Sequence, residues 1–352
     1  MPLDTIYLTR HGHRLTFTVD PKTGEYRSQF PTPTDNPADP ILTSHGVQQS
    51  HELAAHISSP GFNPKPFRIY SSPYYRCLQT IKPTVEKLRD LQVLPEPERV
   101  DGKVADDWKD GLLRVKVENG VGEWFGPTSW FHHPSPESPS VLSRHFPKLL
   151  YENINGATYK PVLIPSTRGE TITQLHNRLA LALTAIIADL DRHISIDEKS
   201  QPESERTSKA VLICSHAASL IAMGRVLTGN MPDDSGEEDF KVFTAGLSTF
   251  KRRGPGVPLT GAFDATEHVD EDDERATKKL VAPGTETLRP RMRRVPEWEG
   301  GRGIAGGWDC VGNGDCSFLS GGAERGWHFN GDESFDPAPG MLVSDGMPAT
   351  KL

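Results

Sequence analysis

Ile6-Tyr7-Leu8-Thr9-Arg10-His11-Gly12-His13-Arg14 decides how the rest of this 352-residue chain is read. Its first half is β-branched and aromatic and reads as a strand. Its second half ends that strand in two arginines and two histidines around a glycine. Open α/β sheets build their sites at the carboxyl ends of strands, which is where this cluster falls. Two guanidiniums this close repel each other unless an anion lies between them, and their forked donors suit phosphate. A histidine held beside them can act as a nucleophile. The stretch therefore outlines a phosphoryl-transfer site whose other groups must come from elsewhere in the chain.

Working outward, residues 4–9 form the first strand, and 15–42, with six Pro or Gly breakers from Pro21 to Pro40, read as a long loop beside the site. Thr43 or Ser44 caps a helix running to about Ser58, with Val47, Leu53, Ala54 and Ile57 on its apolar face. Residues 67–71 read as a second strand. Ser71-Ser72-Pro73 then opens a helix to about Leu91 that carries Arg76, with Pro83 as a kink or interruption. Gln92-Val93-Leu94 reads as a short strand, Leu112–Val117 as another, and the segment after Phe125 as an irregular insertion. A helix is expected over Ile172–Asp191, a buried strand over Ala210–Cys214 ending at Ser215-His216, a helix from Ala217 to about Leu227, and a last strand over Lys241–Phe250.

Strands alternating with helices predict a three-layer α/β/α domain with a mainly parallel central sheet over residues 1–252. Residues 253–297, with an acidic run at Asp270–Glu274 and a basic one at Arg289–Arg294, read as a polar linker. Residues 298–352 form a Gly/aromatic-rich C-terminal extension with Trp298, Trp308, Phe318, Trp327, Phe329 and Phe335, read either as a cap on its own domain or as a partner-docking segment.

Composition narrows the function. A hydrophobic content of 35% with 32 Gly and 30 Pro implies extensive loops. The net charge of -8 argues against wholesale nucleic-acid binding, so direct nucleic-acid contact is not expected. No apolar run spans a bilayer, Met1-Pro2-Leu3-Asp4 does not start a signal peptide, and four cysteines make no disulfide framework. The expected setting is intracellular, nuclear or cytoplasmic, with no membrane partner.

The candidate site combines Arg10, His11, Arg14, Arg76, Glu123 and His216. A neutral His11 would attack phosphorus, while Arg10, Arg14, Arg76 and His216 clamp the charged oxygens. Glu123, between Gly122 and Trp124, would hold a proton near neutral pH and give it to the leaving oxygen, with Asp106 and Asp107 as the next candidates. No metal or cofactor is needed by this set. His132 and His133 lack a third ligand at a metal-binding spacing, and Cys310 and Cys316 read as free thiols.

Arg10-His11-Gly12, Ser71-Ser72-Pro73-Tyr74-Tyr75-Arg76-Cys77-Leu78-Gln79-Thr80 and Ser215-His216-Ala217 together resemble the motifs of the histidine phosphatase (phosphoglycerate mutase-like) superfamily. Leu42-Thr43-Ser44-His45-Gly46 and Gly169-Glu170-Thr171 resemble its helix starts, and the motifs keep the family's order over about residues 4–250. The resemblance implies a metal-independent phosphomonoesterase working through a phosphohistidine on His11, with Glu123 as acid and then base. It also implies phosphate on Arg10, Arg14, Arg76 and His216. Arg14 and Gly122-Glu123-Trp124-Phe125 resemble the phosphotyrosine-directed branch, which implies a phosphopeptide or a small phosphate monoester as substrate. His13 stands where that family commonly has a glutamate, which bears on substrate choice and pH optimum. Phosphoglycerate mutase-type transfer is the alternative within the fold. The Pro73–Leu78, Gly120–Phe125 and Ser215–Ser219 stretches further resemble the histidine phosphatase domains of fungal TFIIIC tau subunits. That likeness implies a second alternative, a mainly structural subunit in RNA polymerase III transcription that pairs with another TFIIIC subunit through residues 298–352.

Overall fold

The computed structural model describes residues 2–91, 113–152, 157–198, 202–254, 280–289 and 294–331. The expected strand at Gln92-Val93-Leu94, the alternative acids Asp106 and Asp107, the acidic run Asp270–Glu274, most of the basic run and Phe335 lie outside these residues. In chain order the strands and helices are β1 (Thr5–Arg10), β2 (Phe17–Val19), β3 (Tyr26–Ser28), α1 (Ser44–Ser58), β4 (Pro66–Ser71), α2 (Tyr75–Leu91), β5 (Val115–Val117), α3 (Pro139–His145), β6 (Leu163–Ile164), α4 (Ile172–Glu198), β7 (Ala210–Ser215), α5 (Ala217–Thr228), β8 (Leu247–Arg252), β9 (Glu286–Thr287) and β10 (Trp308–Asp315).

Six strands form the central sheet in the order β10-β8-β1-β7-β4-β5. β1, β7, β4 and β5 run parallel; on the other side of β1, β8 pairs antiparallel with β1 and β10 antiparallel with β8. The paired register Thr5↔Ala210 through Arg10↔Ser215 sets the ends of β1 and β7 side by side, and with them His11 and His216. Because successive side chains point to opposite faces, Ile6 and Leu8 of β1 join Val211 and Ile213 of β7 under α4 and α5. Tyr7 joins Leu212 under α1 and α2 on the other face. Helices on both faces of a mostly parallel sheet give the three layers expected. No described helix is long and apolar enough to cross a membrane.

Local chemistry accounts for the element ends that matter to the site. Thr43 caps α1 by accepting from the Gly46 N–H at 3.1 Å. Gly12 and Gly46 let the strand-end loop and this helix start touch: a Cβ on Gly12 would lie 2.8 Å from the Gly46 carbonyl oxygen. Pro73 precedes α2 rather than entering it, so Ser72 stays extended and donates its N–H to the Cys214 carbonyl at 2.9 Å. Pro83 lies inside α2 and the helix runs on through it.

The structure corrects several expectations. The proline-rich 15–42 region holds the β2–β3 hairpin, with Phe17 paired to Ser28 and Val19 to Tyr26. The insertion after Phe125 contains α3, capped by Ser138. α4 extends to Glu198 rather than Asp191. The last predicted strand begins at Leu247, not Lys241, because Val242 and Thr244 spend their backbone groups elsewhere, on Arg10 and on Glu324. The segment from 298 onward supplies edge strand β10 and buries Trp298, Trp308 and Phe329 against the core under α4 and α5.

Candidate active site

His11 directly follows β1 and is buried. Its Nδ1 lies 2.8 Å from the Gly12 carbonyl oxygen, which can only accept, so Nδ1 carries the proton and the Nε2 lone pair is left for chemistry. Burial, and then the charges of Arg76, Arg10, His216 and Arg14, hold its pKa well below the ordinary histidine value. His11 is therefore neutral at pH 7, the state a nucleophile needs.

Arg76, on the first turn of α2, is fully buried. Its Nη1 donates to the Ala38 carbonyl at 2.9 Å and to Asp39 at 3.1 Å. Its Nη2 donates to Glu123 Oε2 at 2.8 Å and stands 3.2 Å from His216 Nδ1. The Tyr74 ring lies under the guanidinium at 4.5 Å. Sequence reasoning missed Asp39, a lone acid in a loop with no motif around it; without it a buried guanidinium would lack its second carboxylate.

His216 begins α5. Its Nδ1 is 3.0 Å from Glu123 Oε2, and its Nε2 is 2.7 Å from Ser72 Oγ. An imidazolium satisfies both contacts at once. Burial opposes that charge, yet the pKa is raised above the ordinary value, by the sulfur of Cys77 and the carboxylate of Glu123. Burial pushes the Cys77 thiol far up, so it carries no charge at neutral pH and Glu123 is the effective cause. The two histidine rings have centroids 5.4 Å apart, and their pKa values are displaced in opposite directions.

Glu123 corrects one expectation. Burial raises a carboxyl pKa, but His216, Arg76 and Arg14 outweigh it and hold Glu123 well below the usual carboxylate range. It is ionised in this arrangement and does not hold the proton foreseen for it.

Arg10 donates through Nη1 to the Val242 carbonyl at 2.8 Å and to the Arg325 carbonyl at 2.5 Å. Arg14 donates to the Leu15 carbonyl at 2.9 Å and lies 4.7 Å over the Phe17 ring of the hairpin. Burial and neighbouring guanidiniums push Arg14 down to about 9, and burial above all brings Arg10 to about 10. Both still carry charge at pH 7, so this corner gains free energy by taking up an anion. His13, beside them, donates its N–H to Gln49 Oε1 at 2.8 Å and sets Nδ1 2.8 Å from Thr43 Oγ1. All six predicted residues therefore meet in one place, while His132 and His133 stand apart, with His133 tied to Tyr26 and Gly126. His11, Glu123 and His216 present ligand atoms within 4.8 Å of one another, but Arg76 already supplies a fixed cation at two of them.

Next to Glu123 opens a cleft lined by Pro73, Tyr74, Phe125, Pro134, Pro136 and Ile164 among others, with no Lys or Arg among the described residues of its wall. The hairpin and the insertion build its surroundings: Phe17, Val19, Tyr26, Tyr74, Phe125 and Phe131 form one buried cluster.

Residues 6–145 match the family model of the histidine phosphatase superfamily (branch 1). The chain resembles that superfamily over these residues. The chain is 27% identical over 333 residues to the transcription factor tau 55 kDa subunit of Saccharomyces cerevisiae, which covers 94% of the chain and 59% of that relative. It is 22% identical over 256 residues to the ecdysteroid-phosphate phosphatase of Drosophila melanogaster, covering 66% of the chain and 28% of that relative. The chain thus spans less than two thirds of the length of either. Among solved structures, the ecdysone phosphate phosphatase of Bombyx mori in complex with tungstate overlays 76% of the chain and 98% of its own, at 16% identity and a TM-score of 0.45.

Proposed function

We propose that the chain is a metal-independent phosphomonoesterase acting through a phosphohistidine on His11. One observation carries this reading: a neutral, tautomer-fixed His11 sits among Arg76, His216 and Glu123, which are already bonded to one another. In the first step His11 Nε2 attacks phosphorus and the bond from phosphorus to the ester oxygen breaks. Arg10, Arg14, Arg76 and His216 take the charge on the remaining oxygens, and Glu123 gives a proton to the departing oxygen. In the second step Glu123 takes a proton from water, whose oxygen attacks phosphorus, and the bond to Nε2 breaks. Inorganic phosphate leaves and His11 is neutral again.

The ionised Glu123 gains its proton through the substrate itself. A phosphate dianion takes over the Arg76 and His216 donors that now hold the carboxylate. It also sets negative charge beside it, and both changes raise a carboxyl pKa. The leaving group lies on the Glu123 side, where the cleft wall combines proline and aromatic residues with polar ones such as Asn119, Ser135 and Thr167. That wall suits an aryl ester, phosphotyrosine included. It offers no cation to a glycerate carboxylate, which weighs against mutase-type transfer. The test is hydrolysis of a phosphotyrosine peptide and of p-nitrophenyl phosphate, with and without a chelator. Chelator-resistant turnover that falls by three orders of magnitude or more in His11→Ala is expected; undiminished turnover in that variant would sink the assignment.

A second reading rests on the likeness to the tau 55 kDa subunit over 94% of the chain. On it the chain is also a nuclear subunit of a TFIIIC-type factor, docked to another subunit through its C-terminal residues. Co-purification of the full chain with that factor is the expected result. Absence from the assembled factor would remove this role and leave the enzymatic one standing.

A further inference from the structure

The turn Gly321–Gly326 comes from a part of the chain beyond the superfamily match, and it closes on the catalytic residues. Its Glu324 carboxylate stands 2.7 Å from His45 Nε2 and accepts from Gln49 Nε2 at 3.2 Å. The Glu324 carbonyl accepts from the Thr244 N–H at 3.1 Å. Gln49 in turn holds the N–H of His13, and the Arg325 carbonyl accepts from Arg10. The turn is therefore stapled to α1, to the 242–246 segment and to a phosphate-clamping arginine. Its next residue, Arg325, adopts φ 50°, a left-handed conformation that a non-glycine side chain rarely takes.

We propose that Arg325 reads a second anionic group on the substrate, a carboxylate flanking the phosphotyrosine of a peptide. The inference rests on the phosphatase reading above. Among the described residues no hydrogen bond or ion pair holds the Arg325 guanidinium, and the residue is exposed. The neighbouring Glu324 carboxylate is already committed to His45 and Gln49. Arg325 adds its charge to a corner that holds Arg10, Arg14 and His13; after burial, it is one of the charges that lower the pKa of each.

Its position decides what kind of molecule could use it. Arg325 stands by Arg10 and is not among the residues lining the leaving-group cleft beside Glu123. A compact aryl phosphate seated in that cleft places nothing at Arg325. A peptide whose phosphotyrosine ring fills the cleft continues across the mouth and can place an acidic side chain there. The chain's net charge of -8 repels such a peptide at long range, so a preference for it must come from a local cation.

The test uses the full chain carrying His11→Ala, which leaves the ester intact, and labelled phosphotyrosine peptides that differ only in flanking Glu, Ala or Lys. The Glu-flanked peptide is expected to bind about fivefold tighter than the Ala-flanked one, the size of an exposed charge pair. Adding Arg325→Gln brings that ratio to about one, and Arg325→Glu turns the preference toward Lys. A ratio that Arg325→Glu does not move overturns the proposal. If the wild-type chain turns over neither peptide while the ratio still follows Arg325, the reaction falls and the recognition stands.

Discussion

At the scale of single residues, the site is a set of charges held apart in protonation state. His11 is kept neutral, the charged form of His216 is favoured by Glu123, and Glu123 is kept ionised by the same cations that would bind phosphate. If Glu123 is the acid, its importance depends on how much help the leaving oxygen needs. In Glu123→Gln, rapid-quench formation of phosphohistidine from p-nitrophenyl phosphate should slow by about tenfold. The same step from a simple alkyl phosphate should slow by about a thousandfold, within the usual range for general acids. Equal losses for the two esters would mean that Glu123 does not protonate the leaving group. All six predicted residues were legible: Arg10, His11, Arg76 and His216 lie in motifs at strand ends and helix starts, and Arg14 and Glu123 stand beside such motifs. Asp39 and Arg325 were not, since each reaches the site as an isolated loop residue through tertiary contacts. Ser72 was quoted in a motif, yet only the fold shows its hydroxyl against His216.

At the scale of elements, what periodicity and caps determine was readable, and what distant pairing determines was not. β1, β7, α1 and α5 have long apolar patterns or a clear cap, and they form close to where they were expected. The β2–β3 hairpin has strands of three residues in a proline-rich stretch, too short for an alternating pattern to stand out. It forms because Phe17, Val19 and Tyr26 bury themselves against Tyr74, Phe125 and Phe131. The shifted start of β8 has a similar origin. Val242 and Phe243 look like strand residues, but Ala245 at φ 54° breaks the extended run. The carbonyl of Val242 then serves Arg10 instead of a ladder. A tertiary contact to Arg10 here overrides local propensity, a departure of the kind found next to functional sites.

At the scale of the whole molecule, the candidate site residues and the C-terminal segment depend on one sheet. β10 pairs with β8, β8 pairs with β1, and β1 ends at Arg10. Trp308 opens β10, is fully buried, and lies 5.3 Å from the Arg252 guanidinium over its ring. Such packing belongs to the core of the fold, and it gives a graded prediction. Trp308→Ala leaves a large cavity under α4 and α5, and should cost about 3–5 kcal/mol in denaturant unfolding. Trp308→Phe should cost clearly less. It keeps most of the apolar volume, and the indole N–H it removes is buried without a hydrogen-bond partner among the described residues, so no bond to them is lost with it. A chain ended before Trp298 loses β10 together with three core aromatics, and should yield no soluble, cooperatively unfolding protein. If that shorter chain folded and kept full phosphatase turnover, the C-terminal segment would be separable from the active site, and the placement of Arg325 at its mouth would lose its structural basis.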